Sequence, residues 1–193
     1  MSDAVQLDQT GAGLPAYETF FLRYVSFPRY VRTMTWHSAV ELFHEEGQKI
    51  NALVHPLSDL QLLSPILIDR LRGMEDSSRN WSPAMTMEHL IITGKDFKDV
   101  IIRLNEGKIP ERNVNITNYK PSPEIGREVI GRFKGFQDEF ITIMSDERYH
   151  RSSDIKLGHP WLGPLNSFQW LSLAAGHQYL HRTQIKKILS NYN

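Results

Sequence analysis

Four stretches of this chain place apolar residues three and four positions apart, the spacing that lines one face of an α-helix. In the first, about residues 35–54, the stripe is Trp36, Val40, Phe43, Gly47, Ile50 and Val54, and Pro56 lies just past its end as a stop. The second opens at Ser82-Pro83, a good N-cap followed by the residue favoured at the first helical position. It runs to Leu104 or Asn105 with Leu90, Phe97, Val100, Ile101 and Leu104 on its apolar side. The third starts with the same signal, Ser122-Pro123-Glu124, and carries Ile125, Val129, Phe133, Phe136, Phe140 and Met144. The fourth covers about residues 166–189. No alternating strand series appears, although a strand pair within a connection stays open. The predicted fold is an all-α four-helix bundle with long crossover connections at 57–80 and 146–164.

The remaining segments are less regular. Residues 1–19 read as an N-terminal arm, and residues 20–193 as a single domain, a size at which one core can bury most of the chain's apolar surface. Phe20 to Val31 is an aromatic lead-in broken by Pro28. Composition narrows the partners. Lysine plus arginine and aspartate plus glutamate both number 22, so no basic excess supports nucleic-acid binding. No apolar run suggests a membrane span and no leader core is visible, so a cytoplasmic protein is expected. The chain has no cysteine, which removes thiolate nucleophiles and thiolate metal sites and leaves histidine and carboxylates as the available ligands.

Eight histidines make that ligand set worth weighing. His177 and His181 are four apart in the fourth helix, on the stripe with Trp170, Ala174, Ile185 and Ile188. Two imidazoles on an inward face need hydrogen-bond partners if neutral and repel if charged. A divalent metal resolves both demands, since it takes neutral ring nitrogens. Bonding to neighbouring polar groups is the plainer alternative. His89, near the start of the second helix, is the best third ligand. His37, Glu41 and His44 form a polar line on the first helix with Gln48 and Asn51, either a solvated face or a source of a catalytic base. His159, in the turn before the fourth helix, is a further catalytic candidate at a pocket mouth. His44-Glu45-Glu46 lacks the second histidine of a zincin, where Gln48 stands. Glu88 and Asp96 fall on other faces or turns, which disfavours a carboxylate-bridged pair of metals. Trp81 and Trp161 flank the histidine-bearing helices and are expected to wall the pocket.

Trp81-Ser82-Pro83-Ala84-Met85-Thr86-Met87-Glu88-His89-Leu90, followed by His177-x-x-x-His181-x-x-Gln184-Ile185, resembles the DinB/YfiT-like superfamily of small metal-binding four-helix bundles. His159-Pro160-Trp161-Leu162-Gly163-Pro164-Leu165 is similar to that family's lead-in to its last helix. The resemblance spans about residues 35–189. It implies a mononuclear centre of His89, His177 and His181, with water in the remaining positions. Zinc or nickel is the expected ion, though imidazole also suits copper and iron. The implied activity is metal-dependent hydrolysis of a small molecule through metal-bound water. Alternatives are a transferase or isomerase that activates a low-molecular-weight thiol, and a non-catalytic stress protein that binds metal or a small ligand. The family also implies a homodimer.

Overall fold

The computed structural model describes residues 6–111, 116–150 and 154–192. The chain enters through α1 (Ala16–Phe21), widens into one π-helical turn (Leu22–Ser26) and continues as α2 (Phe27–Arg32). Helix therefore begins inside the expected arm and passes through Pro28 unbroken. Proline has no N–H to give and its ring crowds the carbonyl four residues back. The wider turn just before Pro28 relieves that crowding. This helix is fixed at its start by Glu18, which is buried and takes two bonds from Arg70, at 2.6 and 2.9 Å. The guanidinium bonds hold the Glu18 carboxyl below its usual value, against burial.

Three of the four predicted bundle helices start where the sequence places them. α3 (Trp36–Val54) begins after Thr35, whose hydroxyl accepts the Ser38 N–H while Ser38 returns the bond. A short α4 (Asp59–Leu63) and strand β1 (Ile66–Leu67) occupy the first crossover, and β1 pairs antiparallel with β2 (Asn80–Trp81). α5 (Pro83–Asn105) is capped by Ser82, which accepts the Met85 N–H at 3.1 Å. The second crossover contains a hairpin of β3 (Leu157–His159) and β4 (Gly163–Leu165). Asn166 then caps α7 (Ser167–Ser190) in a reciprocal pair with Gln169.

The remaining bundle helix, α6 (Val129–Met144), starts later than the Ser122-Pro123 signal predicts. Ser122 does cap a turn, accepting the Glu124 N–H at 3.1 Å, but its own N–H is drawn to the Glu88 carboxylate at 2.8 Å. That tie holds the backbone in a separate turn, and regular helix begins only at Val129.

The helices close into a ring in which α3 and α5 each pack against both α6 and α7. Phe43 of α3 stacks on Phe140 of α6 at 3.9 Å between ring centres and meets Phe136 edge-on at 6.1 Å. Two glycines let α6 approach closely. A Cβ at Gly47 would collide with the Gln137 side chain, and one at Gly94 with the Phe136 ring. Gly94→Ala is expected to destabilise the fold in a urea melt, although alanine is the better helix former. Overpacking costs about 1–3 kcal/mol, and the helix preference offsets only about 1 of it. No helix among the described residues is long and apolar enough to cross a membrane.

Candidate metal centre

α5 carries His89 in its second turn, and α7 carries His177 and His181 one turn apart. Packing of α5 against α7 brings the three rings together. The Nε2 atom of His177 lies 3.3 Å from that of His89 and 3.0 Å from that of His181. One nitrogen from each ring lies within 4.8 Å of the other two, a cluster that could hold a metal ion.

The outer ring nitrogens decide where the protons sit. His89 Nδ1 is 2.6 Å from the Tyr119 carbonyl oxygen, which can only accept. Nδ1 therefore carries the proton and Nε2 keeps its lone pair. His181 Nδ1 is 2.7 Å from Gln184 Oε1, while Gln184 Nε2 donates to the Ser78 carbonyl at 2.8 Å. That carbonyl fixes the amide's orientation, so His181 also turns a bare Nε2 inward. His177 Nε2 lies between the two. One proton there satisfies at most two inward lone pairs by sharing; a cation satisfies all three.

Electrostatics keep the rings neutral. Burial, followed by the competing neighbour His181, pushes His89 and His177 well below the ordinary imidazole value. Burial also takes His181 down to about 4, against the bond it donates to Gln184. Trp81 stacks parallel to His181 at 6.2 Å and lies 5.0 Å from His89. Phe97 meets His177 edge-on at 5.5 Å.

The three histidines line a cavity of about 670 Å³. Its apolar wall includes Leu22 and Phe27 of the N-terminal helix, Phe97 of α5, and Trp161 and Trp170. Tyr30 also lines it and donates from its hydroxyl to the Ser172 carbonyl at 3.1 Å. Burial pushes that phenol up to about 12. The aromatic lead-in thus forms one wall of the site.

The other sequence candidates separate. His159 lines the cavity, and its Nδ1 accepts the N–H groups of Trp161 at 3.2 Å and Leu162 at 3.3 Å. In the neutral ring the proton is therefore on Nε2. His37, Glu41 and His44 are exposed on α3, and none lines the cavity. The stripe of Val40, Phe43, Gly47 and Ile50 turns into the bundle and carries that polar line outward. His44 instead bonds Gln48 at 2.8 Å. α3 gives the cavity Leu42. Glu88 and Asp96 stay outside the histidine cluster. Glu88 accepts from Ser122 and Arg132, and Asp96 accepts from the Tyr119 hydroxyl at 3.1 Å.

A strap missed by sequence reading holds the centre. Lys120 donates to the hydroxyls of Ser77 and Ser78 at 2.8 and 3.0 Å and pairs with Glu75 at 3.6 Å. Its ammonium lies 5.2 Å from the Trp81 ring centre. With Glu88 gripping Ser122, residues 119–122 are tied down at both ends, and the Tyr119 carbonyl is held on His89. A lysine in a Pro- and Asn-rich connection carries no sequence signal for this. Gln184, three residues after His181, does.

No family model matches the chain, and no curated protein does. The crystal structure of TT2238, a four-helix bundle protein, is similar over 79% of this chain and 98% of its own, with 20% sequence identity and a TM-score of 0.51. At that identity the likeness speaks for the fold alone.

Proposed function

We propose that the chain is a DinB/YfiT-like metal-dependent hydrolase of a small-molecule substrate, with His89, His177 and His181 as ligands of one divalent ion. One observation carries the reading: three neutral imidazoles turn their inner nitrogens toward one point on the wall of a cavity of about 670 Å³. The donor set fits such an ion. Three nitrogen ligands leave its charge uncancelled, and zinc and nickel both accept imidazole. A bound ion would act as a Lewis acid and lower the pKa of a water or thiol that it takes up. The chain's own groups do the rest. Tyr119 and Gln184 orient two of the rings. Phe97, Trp161 and Trp170 exclude water and hold an apolar substrate body. His159 has its proton on Nε2 as a hydrogen-bond donor.

A second reading, transfer to a low-molecular-weight thiol, is favoured by a separate observation. The carboxylates around the cavity are engaged: Glu75 with Gly13, Ser77 and Lys120, and Asp96 with Tyr119. Hydrolysis gains from a general base. A thiol with its pKa lowered by a metal needs none.

The test is elemental mass spectrometry on untagged wild type and His181→Ala, both exposed to zinc and nickel and then desalted. About one metal per chain in wild type, lost in the variant, is expected. Chelation should then abolish turnover of an ester and amide panel, and added metal should restore it. Under the second reading, added thiol changes the visible spectrum of the Co(II)-substituted protein. Folded protein without metal in either sample overturns both.

A further inference from the structure

Besides its histidines, the cavity is lined by four charged side chains among the described residues, Arg72, Glu75, Asp96 and Lys120. Three of them are engaged. Glu75 pairs with Lys120 and accepts the Gly13 N–H, Lys120 donates to Ser77 and Ser78, and Asp96 accepts the Tyr119 hydroxyl. The Arg72 guanidinium makes no hydrogen bond and no ion pair among the described residues. Glu18 does not serve it, since Arg70 takes both oxygens of that carboxylate. The turn that carries Arg72 is firmly held. Met74 N–H donates to the Leu71 carbonyl at 3.2 Å, and Gly73, third of the four residues, has a φ of 83°. A type II turn requires that conformation there, and glycine adopts it without strain. Arg70, just before the turn, also bonds the Met74 carbonyl at 3.1 Å. One arginine thus fastens the turn to buried Glu18. The other stands at its corner, exposed, on the cavity wall.

We propose that Arg72 receives the carboxylate of an aromatic acid whose ring system fills the apolar part of the cavity, an inference that rests on reading this cavity as the substrate site. A guanidinium takes a carboxylate through two parallel N–H···O bonds, and its single charge matches a single carboxylate. Phe27, Phe97, Trp161 and Trp170 line the same cavity. Aromatic walls favour a flat ring, met at its face or its edge. The cavity volume of about 670 Å³ falls within the range of small-molecule sites, ~300–1,000 Å³. Arg72 sets which substrate is bound; no bond is made or broken on it. The three histidines lie on α5 and α7 and Arg72 on the first crossover, so one molecule in the cavity is addressed by both.

Naphthaleneacetate and its neutral amide test this, since they share a ring system and differ by one charge. Titration calorimetry on zinc-treated and on chelator-treated protein should give an acid bound about tenfold tighter than the amide in both. Arg72→Gln should remove that preference while keeping the amide affinity and the melting temperature. Arg72→Lys keeps the charge without the fork and should retain part of the preference. In wild type the preference should shrink as salt rises from about 0.05 to 0.5 M, because the guanidinium is exposed. Equal affinity for acid and amide overturns the proposal, as does binding of neither. So does a preference that Arg72→Gln leaves intact; where that preference also needs zinc, the carboxylate belongs to the metal and the metal centre stands without this role for Arg72. Naphthyl phosphate bound more tightly than the acid by chelator-treated protein overturns the carboxylate class. An Arg72-dependent preference in chelator-treated protein upholds the proposal even if the histidines take up no metal.

Discussion

Arg182→Met should lower stability at neutral pH by about 3–5 kcal/mol, the cost of stranding a buried charge. Arg182 of α7 bonds the Glu46 carboxylate of α3, and Glu46 is only 2% exposed. The pair ties two neighbouring helices at one point. Lys49 also reaches Glu46, at 2.9 Å, but its side chain is half exposed and gives weaker compensation. Methionine keeps most of the arginine's apolar stem, so the measured loss reports the charge rather than a cavity. At 193 residues, a melting temperature lower by about 6–20 °C is expected. The pH dependence is a second readout. Burial opposes the Glu46 charge, yet the bonds from Lys49 and Arg182 outweigh it and leave the carboxyl below its ordinary value. A carboxyl lowered in the folded chain stabilises the fold above its unfolded pKa, and that contribution is lost as pH falls through the folded value. The gap between wild type and variant should therefore narrow from pH 7 toward pH 4 in urea melts. A gap that stays constant would show that the pair acts through packing.

Gln184→Leu should weaken metal binding by about 10–100-fold, the usual effect of removing a ligand's outer partner. It should also cost about 2–5 kcal/mol of stability, because two buried polar groups lose their partners. Gln184 is fully buried and bridges His181 Nδ1 to the Ser78 carbonyl. Leucine fills similar space but supplies neither bond. His181 is then free to carry its proton on either nitrogen, and the bond that kept Nε2 bare and inward is gone. Competition against a chelating dye reads the affinity, and a urea melt of the metal-free protein reads the stability. Equal metal affinity in both proteins would remove Gln184 from the site. Gln184→Glu separates the roles, since it can still accept from His181 but cannot donate to Ser78.

The same residues show what a sequence discloses here. α3, α5 and α7 are announced by their apolar stripes, and α5 also by its cap Ser82, because both signals are local. His177 and His181 are legible for the same reason, and His89 joins them once α5 is placed beside α7. Ser122-Pro123 misleads because a cap signal cannot show that the Ser122 N–H is claimed by Glu88, 34 residues earlier. Pro28 misleads in the other direction, since a π turn absorbs it. Both flanks of the α3 stripe are polar, and the period alone does not say which flank meets a pocket. His37, Glu41 and His44 lie on the solvent side. Tyr119, Lys120 and Glu75 come from connections whose path no periodicity describes, so their approach to the centre is visible only in three dimensions.

Two of the three inward-facing rings trace their aim to backbone carbonyls, directly at Tyr119 and through Gln184 at Ser78. A carbonyl is present whatever side chain the residue bears. The letters at positions 78 and 119 can therefore change without turning either histidine, provided the chain still follows the same route. What must be inherited is the course of the connections, not their spelling. A centre built this way leaves a faint trace in any comparison of sequences, and a chain can drift far in its loops while its chemistry stays in place.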